Sequence, residues 1–463
     1  MSIAAESLGS ARFKRDYGLR YAYLAGAMYK GIASRDLVVA MGRHGLLGFF
    51  GTGGLDLAEI EAGIVDIAGR LQGRGAFGMN LLCNLEQPEV EDRTVELYLG
   101  RDVRYVEAAA FLRITRSLVR YRLKSLRRAS DGRIERTRRL LAKVSRPEIA
   151  RAFMEPAPPE IVRELLAAGA VTRAEAELGA TVPMADEICV ESDSGGHTDQ
   201  GVALALVPAM LALRDEQMLK HRYAEPIAIG AAGGIGTPHA AAAAFVIGAD
   251  FVLTGSINQC TVEAGTSSSV KDLLSEMNVQ DTTYAPAGDM FELGAKVQVA
   301  RRGLFFPARA NKLFEIYHRH GSLEEIDPKT RRQIEEKYFR RSFDDVWSET
   351  RSYYSRANPA KLREIESSPK QKMALIFRWY FIHTNRLAMN GQVDQKVDYQ
   401  IHCGPALGAF NQWVRGTELE SWRNRHVADI AQRVMRGTAD LLNGRFAAFG
   451  AAQDAQTATA LKL

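Results

Sequence analysis

Eight short apolar runs recur between residues 24 and 254: Leu24–Met28, Leu46–Phe50, Ala76–Leu82, Tyr105–Ala109, Leu141–Val144, Glu187–Glu191, Ile227–Ala231 and Phe251–Thr254. The segments between them have the length and period of helices. The clearest is 57–72, where Leu57, Ile60, Ile64, Ile67, Ala68 and Leu71 fall on one stripe. Strand and helix alternating eight times is the pattern of a parallel (β/α)8 barrel, an α/β fold whose active site lies at the carboxyl ends of the strands. No helix follows the eighth run at once.

After Ser256 the chain turns polar and largely helical, with helical stretches at 331–341, 343–354 and 370–389 and with Pro328, Pro359 and Pro369 between elements. The pattern predicts a mainly helical lid or substrate domain at 266–400, inserted after the eighth strand. The amphipathic stretch 427–442 is expected to return as the helix that completes the barrel. The domain expectation is therefore a barrel of 1–265 and 401–450, the insert, and a flexible tail at 451–463, where the residues are small and polar.

Glycine changes this picture most. Residues 227–256 contain Gly233, Gly234 and Gly236 ahead of a helix that starts near Pro238, then Gly255 and Ser256 after the next strand. Bare backbone amides beside a helix start suit a phosphate, and barrels of this type commonly hold one in the loops after strands seven and eight. Tight turns without a ligand are the plain alternative. A dinucleotide fold would show one such loop near its start, with an acid about 20 residues on. Here Asp250 opens the next strand, and a second glycine loop follows.

The second candidate is 191–199, Glu-Ser-Asp-Ser-Gly-Gly-His-Thr-Asp, at the end of the sixth strand. A histidine on a Gly-Gly loop suits proton transfer near neutral pH, so His197 is the candidate catalytic residue. The alternative is that it satisfies a loop carbonyl. Asp193 and Asp199 would orient it or cap the next helix. At the end of the first strand, Gly26 and Ala27 allow close approach by a flat ring; Met28 would pack on that ring or serve as barrel core. Asn80 ends the third strand as a possible donor to the ring. Glu107 and Lys143 hold equivalent places on the fourth and fifth strands, and Glu191, Gly195 and Gly196 complete the candidate cofactor-binding set. No metal site is expected: His318 and His320 lack a third ligand nearby, and His402 beside Cys403 has the same weakness.

At 463 residues there is room for a large and a smaller domain, and a net charge of +5 is too small to argue for nucleic acid. Lysines and arginines crowd locally at 101–146, including Arg120, Arg122, Lys124, Arg127, Arg128, Arg136, Arg138 and Arg139. This is either a solvated helix-loop-helix surface or a docking face for an acidic partner. The four cysteines have no CxxC spacing, the N-terminus has no signal-peptide core, and glycines, Pro238 and His239 punctuate the uncharged stretch 227–249. The expected setting is a reducing cytoplasm without membrane association.

Six segments carry a family resemblance: GAMYKGIA at 26–33, LLGFFGTGGL at 46–55, GMNLL at 78–82, ESDSGGHTDQ at 191–200, AAGGIGTPHAAAAAFVIGADFVLTGS at 231–256 and CGPALGAFNQWVRGTELE at 403–420. Together they resemble the PfaD-type trans-acting enoyl reductases of polyunsaturated fatty acid synthases and trans-acyltransferase polyketide synthases, over nearly the whole chain. The barrel part is also similar to flavin-dependent enoyl-carrier-protein reductases and nitronate monooxygenases. The resemblance implies FMN as prosthetic group, NADPH as reductant, and an acyl carrier protein bearing an enoyl thioester as partner. By position it implies that Gly233, Gly234, Gly255 and Ser256 hold the FMN phosphate, that Gly26, Ala27, Met28 and Asn80 line the isoalloxazine, and that His197 stands over its reactive face. Asn411 or Trp413 would come near the flavin if the 404–413 segment folds back. A flavin oxidase of the nitronate monooxygenase type and a flavin-free docking protein of a megasynthase are the other readings, and self-association into a homodimer is left open.

Overall fold

The structure, a computed structural model, describes residues 2–84 and 87–460. The chain divides into two compact units: Met1–Asp193, Gln200–Gly265 and Trp413–Leu463 form the first; Ser194–Asp199 and Thr266–Gln412 form the second. Residues 401–412, expected with the barrel, cluster with the second unit.

The first unit is a closed barrel of eight parallel strands. In chain order they are Tyr23–Ala25, Leu47–Phe50, Gly78–Leu82, Tyr105–Ala109, Arg139–Val144, Glu187–Glu191, Ala228–Ala232 and Phe251–Thr254. Each pairs with its chain neighbour in this series, and the ring closes through Leu24 against both Leu47 and Leu253. The strands are apolar almost throughout because helices cover their outer faces and side chains fill the interior. Leu24, Leu47, Phe49, Leu141, Phe251 and Leu253 share one buried cluster with Phe13 and Tyr17 of the short N-terminal helix Ala11–Tyr17. Phe13 stacks on Phe251 with ring centroids 4.4 Å apart, which plugs one end of the barrel. Gly230 makes room for that packing: a Cβ there would lie 2.1 Å from the Phe251 ring.

The helix Leu57–Leu71 starts with a reciprocal capping box between Asp56 and Glu59 and buries Ile60, Ile64, Ile67 and Leu71. The helix Val427–Ala460 packs against Pro238–Val246 and Arg35–Arg43, the place of the eighth barrel helix. Close crossing is possible because Gly437 faces Pro238, where a Cβ would come within 2.7 Å of the ring. This helix runs on into the stretch expected as a tail, whose residues 461–463 lie outside the described residues. No helix among the described residues is long and apolar enough to cross a membrane.

The basic stretch departs from expectation. A helix, Arg116–Leu123, leads into an antiparallel hairpin of Leu126–Arg128 and Ile134–Arg136 in place of a second helix. Most of its cations face acids within the unit. Arg122 is fully buried and bonds Asp186 at 2.8 Å, Arg136 lies 2.8 Å from Glu225, Arg138 meets Asp102 at 2.9 Å, and Arg139 meets Asp16 at 2.8 Å and Glu187 at 3.2 Å. Arg127 and Arg128 remain exposed, with Arg127 paired to Glu135 at 2.8 Å.

The second unit is helical, with Phe306–Arg319, Phe343–Ala357 and Pro369–Asn390 as its longest helices. Phe291, Phe306, Phe339, Phe343, Phe377, Tyr380 and Phe381 fill its core. It also holds a three-stranded antiparallel sheet that the sequence pattern did not announce: Thr282–Pro286, Lys296–Ala300 and the two residues Gly196–His197.

Candidate active site

In the barrel unit, strand register gathers most of the candidates. Asn80 pairs with Glu107 across the third and fourth strands, and Lys143 pairs with Cys189 across the fifth and sixth. Asn80 Nδ2 donates to the Glu107 carbonyl at 3.1 Å, while its own carbonyl accepts from Thr52 Oγ1 and Tyr98 OH. The Glu107 carboxylate is fully buried; Oε2 accepts the Ala27 amide at 3.1 Å and Oε1 lies 3.3 Å from Lys143 Nζ. Lys143 Nζ also stands 3.5 Å from Glu191 Oε1. Ends of the first, fourth, fifth and sixth strands are thus tied by one charged group of net charge −1.

Burial and charge oppose each other in this triad. Burial raises the Glu107 carboxyl above its ordinary range, and Lys143 only partly offsets that. Burial works against the charge of Lys143 too, but two carboxylates outweigh it and raise its pKa, so the ammonium keeps its proton. Gly26 donates its amide to the Thr254 carbonyl at 2.9 Å and is filled over by Leu253, and Met28 is half-buried with its carbonyl against Gly51.

The two glycine loops differ in what surrounds them. Gly233 has φ 85° and is pressed on the loop after the sixth strand, where a Cβ would fall 2.5 Å from the Ser192 carbonyl oxygen. Gly234, with φ 75°, and Gly255 face open space: a Cβ at either would meet nothing within 4 Å. Thr237 caps the helix Pro238–Val246. The eighth strand runs through Gly255 into a short turn, Ser256–Gln259, where Asn258 Nδ2 is anchored on Thr254 at 3.0 Å. The buried Asn258 Oδ1 and Ser192 Oγ have no partner among the described residues. The backbone amides of the two glycine loops and the open space beside Gly234 and Gly255 are what a phosphate group needs.

The remaining candidates lie in the second unit. Gly196 and His197 form the third strand of its sheet, opposite Gln298 and Val297. His197 Nε2 is 2.9 Å from Asp289 Oδ1, with both side chains about half exposed. Partial burial disfavours the Asp289 charge, yet the hydrogen bond and charge of His197 hold its carboxyl below the usual value. His402 is pushed down to about 4 by burial first and then by His197, so it is neutral at neutral pH. Its Nε2 meets Gln400 Nε2 at 2.7 Å. Gly195 is a glycine for a packing reason: a Cβ there would stand 2.8 Å from Cys403 Cα. Asn411 spends its amide on the Leu274 and Met277 carbonyls, both at 2.9 Å. Asp289 carries no signal in its own stretch of sequence, and His402 stands out there only as a metal ligand without a second one nearby.

Comparison with known proteins agrees with this architecture. A family model described as [acyl-carrier-protein] S-malonyltransferase, inserted helical domain, matches residues 320–399. The crystal structure of the enoyl reductase domain of MlnA, from the macrolactin biosynthesis cluster of Bacillus amyloliquefaciens, superposes with a TM-score of 0.92 at 46% identity, covering 96% of this chain and 99% of that one. The polyketide biosynthesis protein PksE of Bacillus subtilis is 58% identical over 443 residues, 96% of this chain and 57% of PksE. A polyunsaturated fatty acid synthase polypeptide of Thraustochytrium is 40% identical over 93% of this chain and 29% of its own length. The chain thus spans little more than half of PksE and under a third of the Thraustochytrium protein. The likeness to the MlnA domain, end to end in both chains, shows that the chain belongs to the PfaD-type family of enoyl reductases of polyketide and polyunsaturated fatty acid synthases.

Proposed function

We propose that this chain reduces the 2,3-double bond of an enoyl thioester held on an acyl carrier protein, in trans, with FMN in the barrel and NADPH as reductant. The observation that carries the reading is the pair of open glycine positions, Gly234 and Gly255, after strands seven and eight of a closed parallel barrel. The end-to-end likeness to the MlnA enoyl reductase domain supports the reaction class, and the relatives named for polyketide and polyunsaturated fatty acid synthesis support a thioester substrate carried by such a synthase.

FMN, when bound, would supply the hydride-transfer chemistry that links NADPH to the substrate β-carbon. The protein's own work is positioning and charge. Amides of Gly233, Gly234 and Gly255 and the Ser256 hydroxyl would bind the phosphate, and Lys143, kept charged by Glu107 and Glu191, would face the anionic edge of the ring with Asn80 as a neutral donor. As the β-carbon is reduced, negative charge builds on the thioester oxygen. His197 would stabilise that charge and supply the proton for the α-carbon.

Purified protein should be yellow, with absorption at about 450 nm, as an oxidised flavin requires. NADPH oxidation should depend on a carrier-bound crotonyl group. The His197→Ala variant should keep its flavin and lose turnover. Colourless protein, or NADPH-independent oxygen consumption with a nitronate, would reject the reading, and unchanged turnover in His197→Ala would remove that residue from the chemistry.

A further inference from the structure

His197 belongs to a cluster whose other members have no assigned role. Its strand is fixed by pairing with Val297 and by the bond from the Thr198 amide to the Lys296 carbonyl at 3.2 Å. Asp289 lies on the loop that joins Thr282–Pro286 to Lys296–Ala300. That loop is closed by the Ala287 amide on the Ala295 carbonyl at 2.8 Å, and Gly288 beside Asp289 is seated on Phe381, whose Cβ would be 2.6 Å from an added Cβ. Both ends of the 2.9 Å contact therefore hang from fixed backbone, unlike a surface pair of two long flexible side chains. The His402 ring lies behind the strand, with Nδ1 3.6 Å from the Cβ position of Gly196.

We propose that Asp289 is a positioning residue for His197: it fixes the imidazole through Nε2 and keeps the ring protonated, so that His197 serves as the acid of the reaction. The proposal rests on the enoyl reductase reading. With Nε2–H held by the carboxylate, Nδ1 is the nitrogen that gives up its proton. The electron pair of the substrate enolate forms the new Cα–H bond, the Nδ1–H bond breaks with its pair left on nitrogen, and the neutral ring regains a proton from water. Asp289 stays ionised throughout.

Three ionisable groups act on one another here: His197, Asp289 and His402. Coupling between titrating sites is reciprocal, so a His197 that lowers the Asp289 pKa must itself bind its proton more tightly because Asp289 is charged. His402 takes the opposite part. Its burial keeps it neutral, so it adds no charge of its own beside the imidazole that Asp289 touches.

The test compares Asp289→Asn and Asp289→Glu in the full chain. Histidine-selective NMR, with His197→Gln to assign the resonance, reads the pH midpoint of His197 without substrate; the pH profile of kcat reads the acid in turnover. Asp289→Asn should move both midpoints acidward by about one unit, the low end of the range for losing an adjacent charge because the pair is half exposed. kcat at pH 8 should fall about tenfold with KM unchanged, and Asp289→Glu should restore both. An unmoved NMR midpoint in an active enzyme overturns the coupling and leaves the enoyl reductase reading standing. A wild-type chain that turns over no enoyl thioester, yet shows the midpoint shift, fails that reading and keeps the coupling.

Discussion

Replacing Lys143 with Met tests whether the barrel's charged triad is a designed balance or an incidental contact. Lys143 Nζ lies 3.3 Å from Glu107 Oε1 and 3.5 Å from Glu191 Oε1. At an effective dielectric near 20, each contact is worth roughly 5 kcal/mol of gross attraction, most of which is offset by stripping water from the groups. Truncation exposes the asymmetry. Glu107 is fully buried and would retain only the Ala27 amide at 3.1 Å, and orphaning one member of a buried pair costs about 3–5 kcal/mol. The contact to Glu191, a quarter exposed, adds little to that figure. The sign with pH follows from Glu107, whose carboxyl burial already raises. A carboxyl raised in the folded state is protonated in both states at low pH and costs nothing there. As pH climbs past its unfolded value of about 4.3 the folded state is progressively penalised, up to its own higher value. Without Lys143 that folded value rises further, so the deficit of Lys143→Met should be small at pH 4.5 and full at pH 8. Urea denaturation of wild type and variant at both pH values measures it. The double variant Glu107→Gln, Lys143→Met should recover more than half of the loss. A deficit equal at the two pH values, or no recovery in the double variant, would refute the argument.

Further outcomes follow from the glycines and the surface. Gly255→Ala should leave the melting temperature of flavin-free protein within about a degree, because its Cβ points into open space, yet weaken FMN binding at least tenfold in a fluorescence titration. Gly233→Ala should instead destabilise the fold by about 1–3 kcal/mol, since its Cβ would strike the Ser192 carbonyl at a left-handed φ; equal melting temperatures for the two variants would reject the distinction. Gly230→Ala should cost at least as much, read as lost soluble yield or a lowered melting point, because the Phe251 ring cannot withdraw from its stack on Phe13. Reversing the exposed Arg127 and Arg128 to Glu should change stability by less than about 0.5 kcal/mol and raise KM for a carrier-bound enoyl thioester several-fold over that for a small thioester. Equal changes in KM would dismiss any docking role for the pair.

What the sequence disclosed and what it concealed divide along the range of the interactions. The strands at 105–109, 187–191 and 251–254 were legible to the residue, because a strand buried on both faces is written in consecutive apolar positions. The first strand was read too long: its ladder ends at Ala25, and the chain then turns so that the Met28 carbonyl meets Gly51. The sheet of the second unit was missed although Lys296–Ala300 alternates cleanly, since its central strand pairs on one side with two residues at least a hundred positions earlier. The basic stretch misled for the same reason. A window on 101–146 counts arginines and cannot see that their acids are Asp186, Glu225 and Asp16. The candidate site repeats the pattern. Glycine loops show themselves because their function is local backbone geometry, and a histidine between glycines draws notice by its surroundings. Asp289 is 92 residues from His197, and nothing near it distinguishes it from any surface aspartate. Chemistry that depends on which two distant groups share a proton is fixed by strand register, so Asn80 beside Glu107, or His197 opposite Val297, decides what the residues can do only once the chain has closed its sheets. The glycine loops of such a barrel can thus be read from one segment, while its acid–base pairings must be sought in the contacts that segment makes with the rest of the chain.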